Sequence, residues 1–435
     1  MPSSAGRAAT QAAFLLAVGG LVAASSPIPV VAGSSFTWIQ ANPGIAPSSR
    51  YVDSIAYDAN RSMTVLFGGV RDSATLTDTW EWDGVQWFQR APSVSPSQNG
   101  LLAYDAAHYV TVLFTTSGET WTWDGIGWTE MTPTVSPPWR TDGAMAFDAA
   151  IGRIVLFGGW GATGQLADTW EWDGSTWTQF NPAVSPQARY SHALGYDART
   201  GRIILFGGST QADGGGVIGD TWSWDGASWT DLTPANSPSP RRNSAIDWDP
   251  GQNAVVLFGG ADQSGYLRDT WEWDGSNWVP VAPAVSATCG FRSAMAADSL
   301  RRSVLFGGYC DGFMGDTWIG GAPDAPIQLT GKTISVRKKT PFFGTMATIG
   351  DGDARAVTSD YTATISWGDA TTTACPSVTC TFASSSPATF TINATHTWLK
   401  QGTYTVLILL ADRAGASATA TASVIVQADN GNGNG

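Results

Sequence analysis

A phrase that recurs about every fifty residues constrains the fold of this chain more than any other feature. Self-similarity at a fixed period indicates a repeat architecture, in which each unit buries its apolar surface against the next. A Trp-Asp-Gly element recurs with the same period. The main element, Leu-Phe-Gly-Gly, occurs at Leu66–Gly69, Leu156–Gly159, Leu205–Gly208, Leu257–Gly260 and Leu305–Gly308, with a degenerate copy at Leu113–Thr116.

Each repeat is predicted to fold as four short strands. In the fourth repeat the strands are predicted at Tyr190–Tyr196, Arg202–Phe206, Thr221–Trp224 and around Trp229. Asp197 leads the first turn, because its carboxylate can accept hydrogen bonds from the following backbone. Gly207 and Gly208 are expected to end the second strand, and Asp225-Gly226 is a strong hairpin signal. Four-stranded units of this length are typical of β-propeller blades.

The sixth repeat lacks its last strand. It continues through Asp316–Ile319 and then becomes Gly-Gly-Ala-Pro, without an Asp-Gly hairpin. A matching segment stands at the other end of the chain, where Phe36–Gln40 resembles the last strand of the third repeat at Trp177. We therefore expect the N-terminal strand to complete the sixth unit and close the ring, which protects the sheet edges.

These features resemble the kelch-repeat β-propellers of secreted bacterial proteins. The resemblance covers roughly residues 36–320 and rests on the paired glycines, the Trp-x-Trp-Asp-Gly-x-x-Trp run and their common period. The second repeat departs from the pattern at Thr115-Thr116. The resemblance implies an all-β fold, with a six-bladed kelch β-propeller over residues 33–322 and the first strand of each blade innermost.

The chain contains 22 tryptophans, and most of them occupy regular places in the repeats. Five repeats contribute three each, and Trp38 and Trp318 serve the sixth. We interpret these side chains as packing between neighbouring blades. The alternative is a row of platforms on which sugar rings stack.

The composition changes after the repeats, where Ala, Thr and Val dominate. Residues 323–330 are predicted to be a linker, 331–428 a second domain and 429–435 a flexible tail. Tyr361–Asp369 alternates like a half-buried strand and ends in Trp-Gly-Asp. With His396-Thr-Trp and the strand from Gly402, it resembles PKD-like β-sandwich modules, although Ala370 replaces the usual glycine. Asp351, Asp353 and Asp360 are candidate calcium ligands or, alternatively, solvated turn acids.

The N-terminal residues 1–32 are predicted to be a signal peptide, since Arg7 precedes an apolar run of about thirteen residues and small-residue cleavage patterns. No later segment is long and apolar enough for a membrane helix. We therefore expect a secreted or cell-surface protein without a transmembrane segment after cleavage. In that setting four cysteines predict two disulfides, Cys289–Cys310 and Cys375–Cys380.

Four arginines begin the first strands at a fixed offset, eight residues before the turn aspartate. They are Arg50, Arg140, Arg189 and Arg241. One interpretation places them around the central channel as readers of a carboxylate or other anion. The other pairs each arginine with an acid at the start of the third strand of the same blade. Those acids are Asp78, Asp168, Asp220 and Asp269.

Trp139 and Trp160 are a second pair of candidate binding residues. Both are expected on the face that carries the variable loops, beside Arg140, and loops on a rigid scaffold commonly carry binding sites. An exposed aromatic pair next to an arginine suits a sugar or a peptide. Ordinary loop packing is the alternative.

Enzyme signatures are weak in this sequence, so no catalytic residue, cofactor or metal site is predicted. The copper-radical oxidases among kelch propellers need two histidines at one metal, whereas His108 and His192 are expected at different levels. Asp173 and Gly174 are adjacent, unlike the Asp boxes of sialidases. The net charge of −13 argues against nucleic acid as a partner.

The expected function is extracellular binding or adhesion by a monomer, with the loop face of the propeller contacting a glycan or a protein. Two alternatives from other classes remain open. One is a carbohydrate-active enzyme with its site at the mouth of the channel, and the other is a passive cell-surface spacer.

Overall fold

The computed structural model describes residues 36–428 except 52–53, 213, 289, 299–301, 322–326, 353–355, 357, 387 and 413–415. This part of the chain is all-β, with a single 3₁₀ turn at Thr358–Asp360 among the described residues. In the same part, no helix has the length and apolar character needed to cross a membrane.

Six four-stranded antiparallel sheets occupy the repeat region. The chain begins with β1 (Thr37–Ala41). The first three sheets contain β2 (Ile55–Asp58), β3 (Met63–Arg71), β4 (Ala74–Trp82) and β5 (Trp87–Arg90); β6 (Gly100–Asp105), β7 (Val110–Thr115), β8 (Thr120–Trp123) and β9 (Trp128–Met131); and β10 (Ala144–Asp148), β11 (Arg153–Gly161), β12 (Gly164–Trp172) and β13 (Trp177–Phe180).

The next three sheets follow the same pattern. They contain β14 (Ala193–Asp197), β15 (Arg202–Ser209), β16 (Val217–Trp224) and β17 (Trp229–Asp231); β18 (Ala245–Asp249), β19 (Ala254–Phe258), β22 (Thr270–Trp273) and β23 (Trp278–Val281); and β24 (Ala294–Ala297), β25 (Ser303–Phe306), β26 (Thr317–Gly321) and β1. Between β19 and β22 a two-stranded ribbon forms from β20 (Ala261–Asp262) and β21 (Gly265–Tyr266). The predicted pairing of the N-terminal strand is confirmed, since Ile39 lies opposite Ile319.

The first strands of the six sheets contact one another in cyclic order. β2 contacts β6, and the sequence of contacts continues through β10, β14, β18 and β24 back to β2. Buried Val, Ile, Leu and Phe side chains of the second strands fill the space between neighbouring sheets. The six sheets therefore form a closed ring.

A tryptophan–threonine hydrogen bond joins each sheet of this ring to the preceding one. In every case the indole N–H of a last-strand tryptophan donates to the threonine hydroxyl at the start of a third strand, over 2.8–3.0 Å. The pairs are Trp87–Thr317, Trp128–Thr79, Trp177–Thr120, Trp229–Thr169, Trp278–Thr221 and Trp38–Thr270. The packing interpretation of the repeat tryptophans is confirmed, because all of them are buried except the half-buried Trp222.

The paired glycines end the second strands in the fifth and sixth sheets, where β19 stops at Phe258 and β25 at Phe306, but not in the fourth repeat for which this was predicted. In the first, third and fourth sheets the strand continues through them, with a register shift between the Phe and the second Gly. Gly158 has a φ of +58°, and a Cβ there would lie 2.8 Å from the carbonyl oxygen of Arg189. Glycine is required because the left-handed backbone of this bulge leaves no room for a side chain.

The C-terminal residues form two further sheets. Their strands are β27 (Gln328–Gly331), β28 (Ile334–Arg337), β29 (Phe342–Gly350), β30 (Tyr361–Ser366), β31 (Thr372–Cys375), β32 (Cys380–Ser386), β33 (Thr389–His396), β34 (Gly402–Asp412) and β35 (Ser417–Gln427). The orders are β27-β29-β33-β32 and β28-β35-β34-β30-β31. One core containing Trp367 and Trp398 serves both sheets. Residues 328–330 belong to β27 rather than to the linker predicted over 323–330, because they pair with β29.

Candidate functional site

The four repeat arginines are fully buried and paired within their own sheets. Each side chain is at most 1% exposed. Each guanidinium contacts both carboxylate oxygens of its partner aspartate, which lies within the third strand or, for Asp269, directly before it. The pairs are Arg50–Asp78, Arg140–Asp168, Arg189–Asp220 and Arg241–Asp269.

The remaining guanidinium donors also stay inside the fold. Arg241 donates through Nε to the Ser239 carbonyl, through NH1 to the Gly259 carbonyl and through NH2 to the Ser239 hydroxyl. With the two bonds to Asp269, all five of its N–H groups are used. The geometry thus supports the structural interpretation of these arginines, and none of the four lines any of the three cavities described below.

The aspartate partners remain ionised at neutral pH. Burial opposes ionisation of Asp168, but hydrogen bonds from Arg140 and from the Trp170 indole hold its pKa below the usual value. The same combination lowers the pKa of Asp78, Asp220 and Asp269. The Arg–Asp–Trp cluster is therefore a repeated structural unit.

Trp139 and Trp160 do not form an aromatic pair in the described structure. Trp139 is 45% exposed, and its backbone lies beside the turn at Gly118. Trp160 is half-buried and makes an edge contact with Tyr190, with ring centroids 5.2 Å apart. Only Trp139 therefore offers an open aromatic surface.

One of the two predicted disulfides lies within the described residues. Cys375 and Cys380 are bonded. Cys310 is also disulfide-bonded, but its predicted partner, Cys289, lies outside the described residues.

The candidate metal ligands are dispersed. Tyr361 donates a hydrogen bond to Asp351, and Asp353 lies outside the described part of the chain. His108 contacts Asp105, whereas His192 is buried beside Phe157. Among the described residues, no group of three or more His, Cys, Asp or Glu side chains is arranged to hold a metal ion.

A groove of about 580 Å³ opens on the loop face, which we define as the end of the ring where the first strands begin. Loops of the fifth, sixth and first sheets form it, including the β20–β21 ribbon. Five aromatic side chains line it in a continuous row: Tyr51, Phe313, Tyr309, Tyr266 and Phe291. Neighbouring ring centroids in this aromatic row are 5.2–6.3 Å apart.

An arginine flanks each end of the aromatic row. The guanidinium of Arg292 lies 4.8 Å from the centroid of the Tyr51 ring, and that of Arg242 lies 5.5 Å from the Phe291 ring. Cation–π contacts of this kind hold a guanidinium against a ring. The groove thus combines ring faces with positive charge.

Arg292 also closes the mouth of the ring. Its NH2 group donates over 2.6 Å to Asp142, which belongs to the third sheet, on the opposite side of the ring. A backbone arc supports this mouth bridge: Ser191 N donates to Asp142 O, Asn243 N to Ser191 O, and Arg292 N to Asn243 O. All four residues have φ between +51° and +55°. Left-handed backbone at non-glycine residues is costly and concentrates at functional sites.

No family model and no curated protein matches this chain. Its function is therefore inferred from the geometry of its own residues.

The sequence prediction located the loop face but not this groove. Tyr51 and Phe291 stand at the same repeat position, one residue after the arginine position, and Tyr309 directly follows a glycine pair. Aromatic residues at these offsets were the available signal. The sequence offers no signal for the mouth bridge, since Asp142 and Arg292 are 150 residues apart.

Proposed function

We propose that this protein is a secreted six-bladed kelch-type β-propeller with a C-terminal PKD-like β-sandwich. The closed ring of four-stranded sheets, the β1–β26 pairing and the shared core of the two C-terminal sheets support this assignment. The Cys375–Cys380 disulfide supports an oxidising, extracellular location. We further propose that the protein acts as a monomer at or outside the cell surface.

We propose that its function is to bind a glycan in the groove of the loop face. The aromatic row with an arginine at each end is the observation that carries this proposal. The apolar faces of sugar rings pack on aromatic rings, and guanidinium groups donate to hydroxyl and carboxylate oxygens. The groove volume lies within the usual range for small-ligand sites, roughly 300–1,000 Å³.

Arg242 favours a glycan that carries carboxylate groups, whereas Arg292 is paired with Asp142. Arg242 has no carboxylate partner among the described residues, and its guanidinium lies against the groove wall. Asp262 also lines the groove, but its carboxylate accepts hydrogen bonds from the backbone and hydroxyl of Ser264. The Arg242 guanidinium therefore faces the groove, whereas the Asp262 carboxylate is engaged within its own turn.

The test is calorimetric titration of the full secreted chain with matched neutral and uronic-acid oligosaccharides. Tyr266→Ala and Phe291→Ala should each weaken binding by roughly tenfold, as expected for an aromatic side chain that a bound ligand covers. Trp139→Ala is the matched control, because it removes an exposed indole from the loop region outside the groove. Arg242→Gln should reduce the preference for the acidic oligosaccharide.

The proposal is overturned if neither class of oligosaccharide binds. A loss of affinity in Trp139→Ala equal to that in Tyr266→Ala would also overturn it. Turnover of an oligosaccharide would instead identify an enzyme.

A further inference from the structure

A second cavity lies at the centre of the ring, separate from the groove, and has a volume of about 350 Å³. The first strands of all six sheets line it. Three residues before the turn aspartate, every sheet places a large apolar side chain in this lining. These residues are Ile55, Leu102, Met145, Leu194, Ile246 and Met295.

Polar side chains interrupt this apolar lining, among them His192, Asp247 and three serines whose hydroxyls hydrogen-bond to backbone groups, Ser54, Ser244 and Ser293. His192 is 6% exposed, and among the described residues its one hydrogen-bonding neighbour is the backbone of Phe157, which leaves at least one ring nitrogen without a partner. Burial lowers its pKa to about 3, so the imidazole is neutral and offers one donor and one acceptor. Asp247 also lines the cavity, at a position where the other sheets carry Ala or Gly, and accepts a hydrogen bond from Ala297 N.

An unpaired polar atom in an apolar cavity is unfavourable unless something hydrogen-bonds to it. His192 therefore points to an occupant with a hydrogen-bonding group, whereas the rest of the lining requires an apolar body. Burial raises the pKa of Asp247 to about 7, so its carboxyl is mostly protonated below neutral pH. Uncharged ligands are favoured there, since a charged group would lose its hydration against this surface.

The two ends of the cavity differ. Toward the loop face, His192 also borders a small pocket of about 50 Å³ beneath the mouth bridge of Arg292 and Asp142. The opposite end is framed by aromatic side chains that stand one residue before the turn aspartates. These are Tyr57, Tyr104, Phe147, Tyr196 and Trp248.

We infer that this central cavity is a second binding site, which takes a small, uncharged apolar molecule carrying one hydroxyl-type hydrogen-bonding group. The inference does not depend on the glycan proposal, because no residue lines both the cavity and the groove.

The methyl groups of Met145 and Met295 report directly on the cavity. The full secreted chain is labelled with ¹³C-methyl methionine and titrated with 1-hexanol, hexanoate and hexylamine at pH 6, where Asp247 is mostly protonated. Both methyl resonances should shift saturably with 1-hexanol, whereas hexanoate should bind about a hundredfold more weakly. His192→Phe should weaken 1-hexanol binding about fivefold, the effect of one lost hydrogen bond, and leave xenon binding unchanged.

Two cavity-filling variants keep the test decisive. Leu194→Trp and Ala103→Leu should each abolish the 1-hexanol shifts, and thermal melting shows which of them retains the fold. Tyr266→Ala, in the groove, should leave 1-hexanol binding unchanged, so this site and the groove succeed or fail separately.

The inference is wrong if neither methyl resonance responds to 1-hexanol or xenon. It is also wrong if the shifts persist in a folded cavity-filling variant. Tighter binding of hexylamine than of 1-hexanol would refute the assignment of an uncharged ligand.

Discussion

Replacing Arg140 by methionine tests the view that the repeat arginines are structural. Met fills much of the same space but removes four hydrogen bonds, to the carbonyls of Pro138 and Gly158 and to both oxygens of Asp168. It also leaves a carboxylate that is only 16% exposed without its counter-ion. Breaking such a pair from one side costs about 3–5 kcal/mol. Because water still reaches one edge of Asp168, we expect about 3 kcal/mol.

The assay is urea denaturation followed by tryptophan fluorescence at pH 7. The matched control is a variant at an ion pair that solvent reaches on both sides. Arg153 is unsuitable, because the side chain of its partner Glu171 is only 2% exposed. Arg71→Met serves as the control, since Arg71 and its partner Asp72 are 46% and 77% exposed. Exposed pairs contribute little, so we expect a change within about 0.5 kcal/mol for Arg71→Met. A loss below about 1 kcal/mol for Arg140→Met, or equal losses for both variants, would refute the structural interpretation.

The pH dependence provides an independent check on the same pair. The pKa of Asp168 is lower in the folded state than in the unfolded chain, so its contribution is present above the unfolded pKa and disappears as the pH falls through the folded pKa. The difference between wild type and Arg140→Met should therefore shrink as the pH falls below about 4. A difference that stays constant between pH 7 and pH 2 would show that the lost stability does not come from the ion pair.

Three other substitutions test separate features of the ring and of the C-terminal sheets. Gly158→Ala should cost about 1–3 kcal/mol in urea denaturation, because a left-handed φ and a carbonyl contact exclude its Cβ; Gly44→Ala, where a Cβ meets open space, should be neutral. Burial raises the pKa of Glu272 to about 7, so the folded state binds this proton more tightly than the unfolded chain does. Stability should therefore fall as the pH rises from 5 to 8, and Glu272→Gln should reduce that dependence. An unchanged pH profile in the variant would contradict the burial argument. Replacing Cys375 and Cys380 by serine should lower the stability of the C-terminal sheets by about 2 kcal/mol, and a melt unchanged by a reducing agent would contradict this.

The repeat signal predicted the all-β class and the four-strand order because both depend on local patterns. The hairpin at Asp225-Gly226 and the turn at Asp197 are set by residues adjacent in sequence, and both lie between strands as expected. The N-terminal strand was placed by matching Phe36–Gln40 to the other last strands. The effect of the glycine pair in the fourth repeat was misjudged, because a bulge and a strand end both require the same left-handed backbone.

The candidate site was harder to predict, since its residues come from loops of different sheets. Arg140 and Asp168 lie 28 residues apart, and their fixed offsets predicted the pair as one of two alternatives. The row from Tyr51 to Phe313 unites opposite ends of the repeat region, and loop conformation alone decides whether those rings meet. His192 was noted as a strand residue, but only the packing of the innermost strands shows that it lines a cavity.

The pairing of β1 with β26 has a consequence for how this protein is made. During synthesis Thr37–Ala41 leaves the ribosome long before Thr317–Gly321, so its edge stays unsatisfied while the other five sheets are completed. Completion of the last sheet therefore requires synthesis of the whole repeat region. A chain interrupted anywhere before β26 leaves β1, which contains Trp38, exposed to aggregation or proteolysis. A covalent join between the two ends of the ring, with new termini opened in an Asp-Gly hairpin, would place both halves of that sheet in one continuous segment and remove the delay.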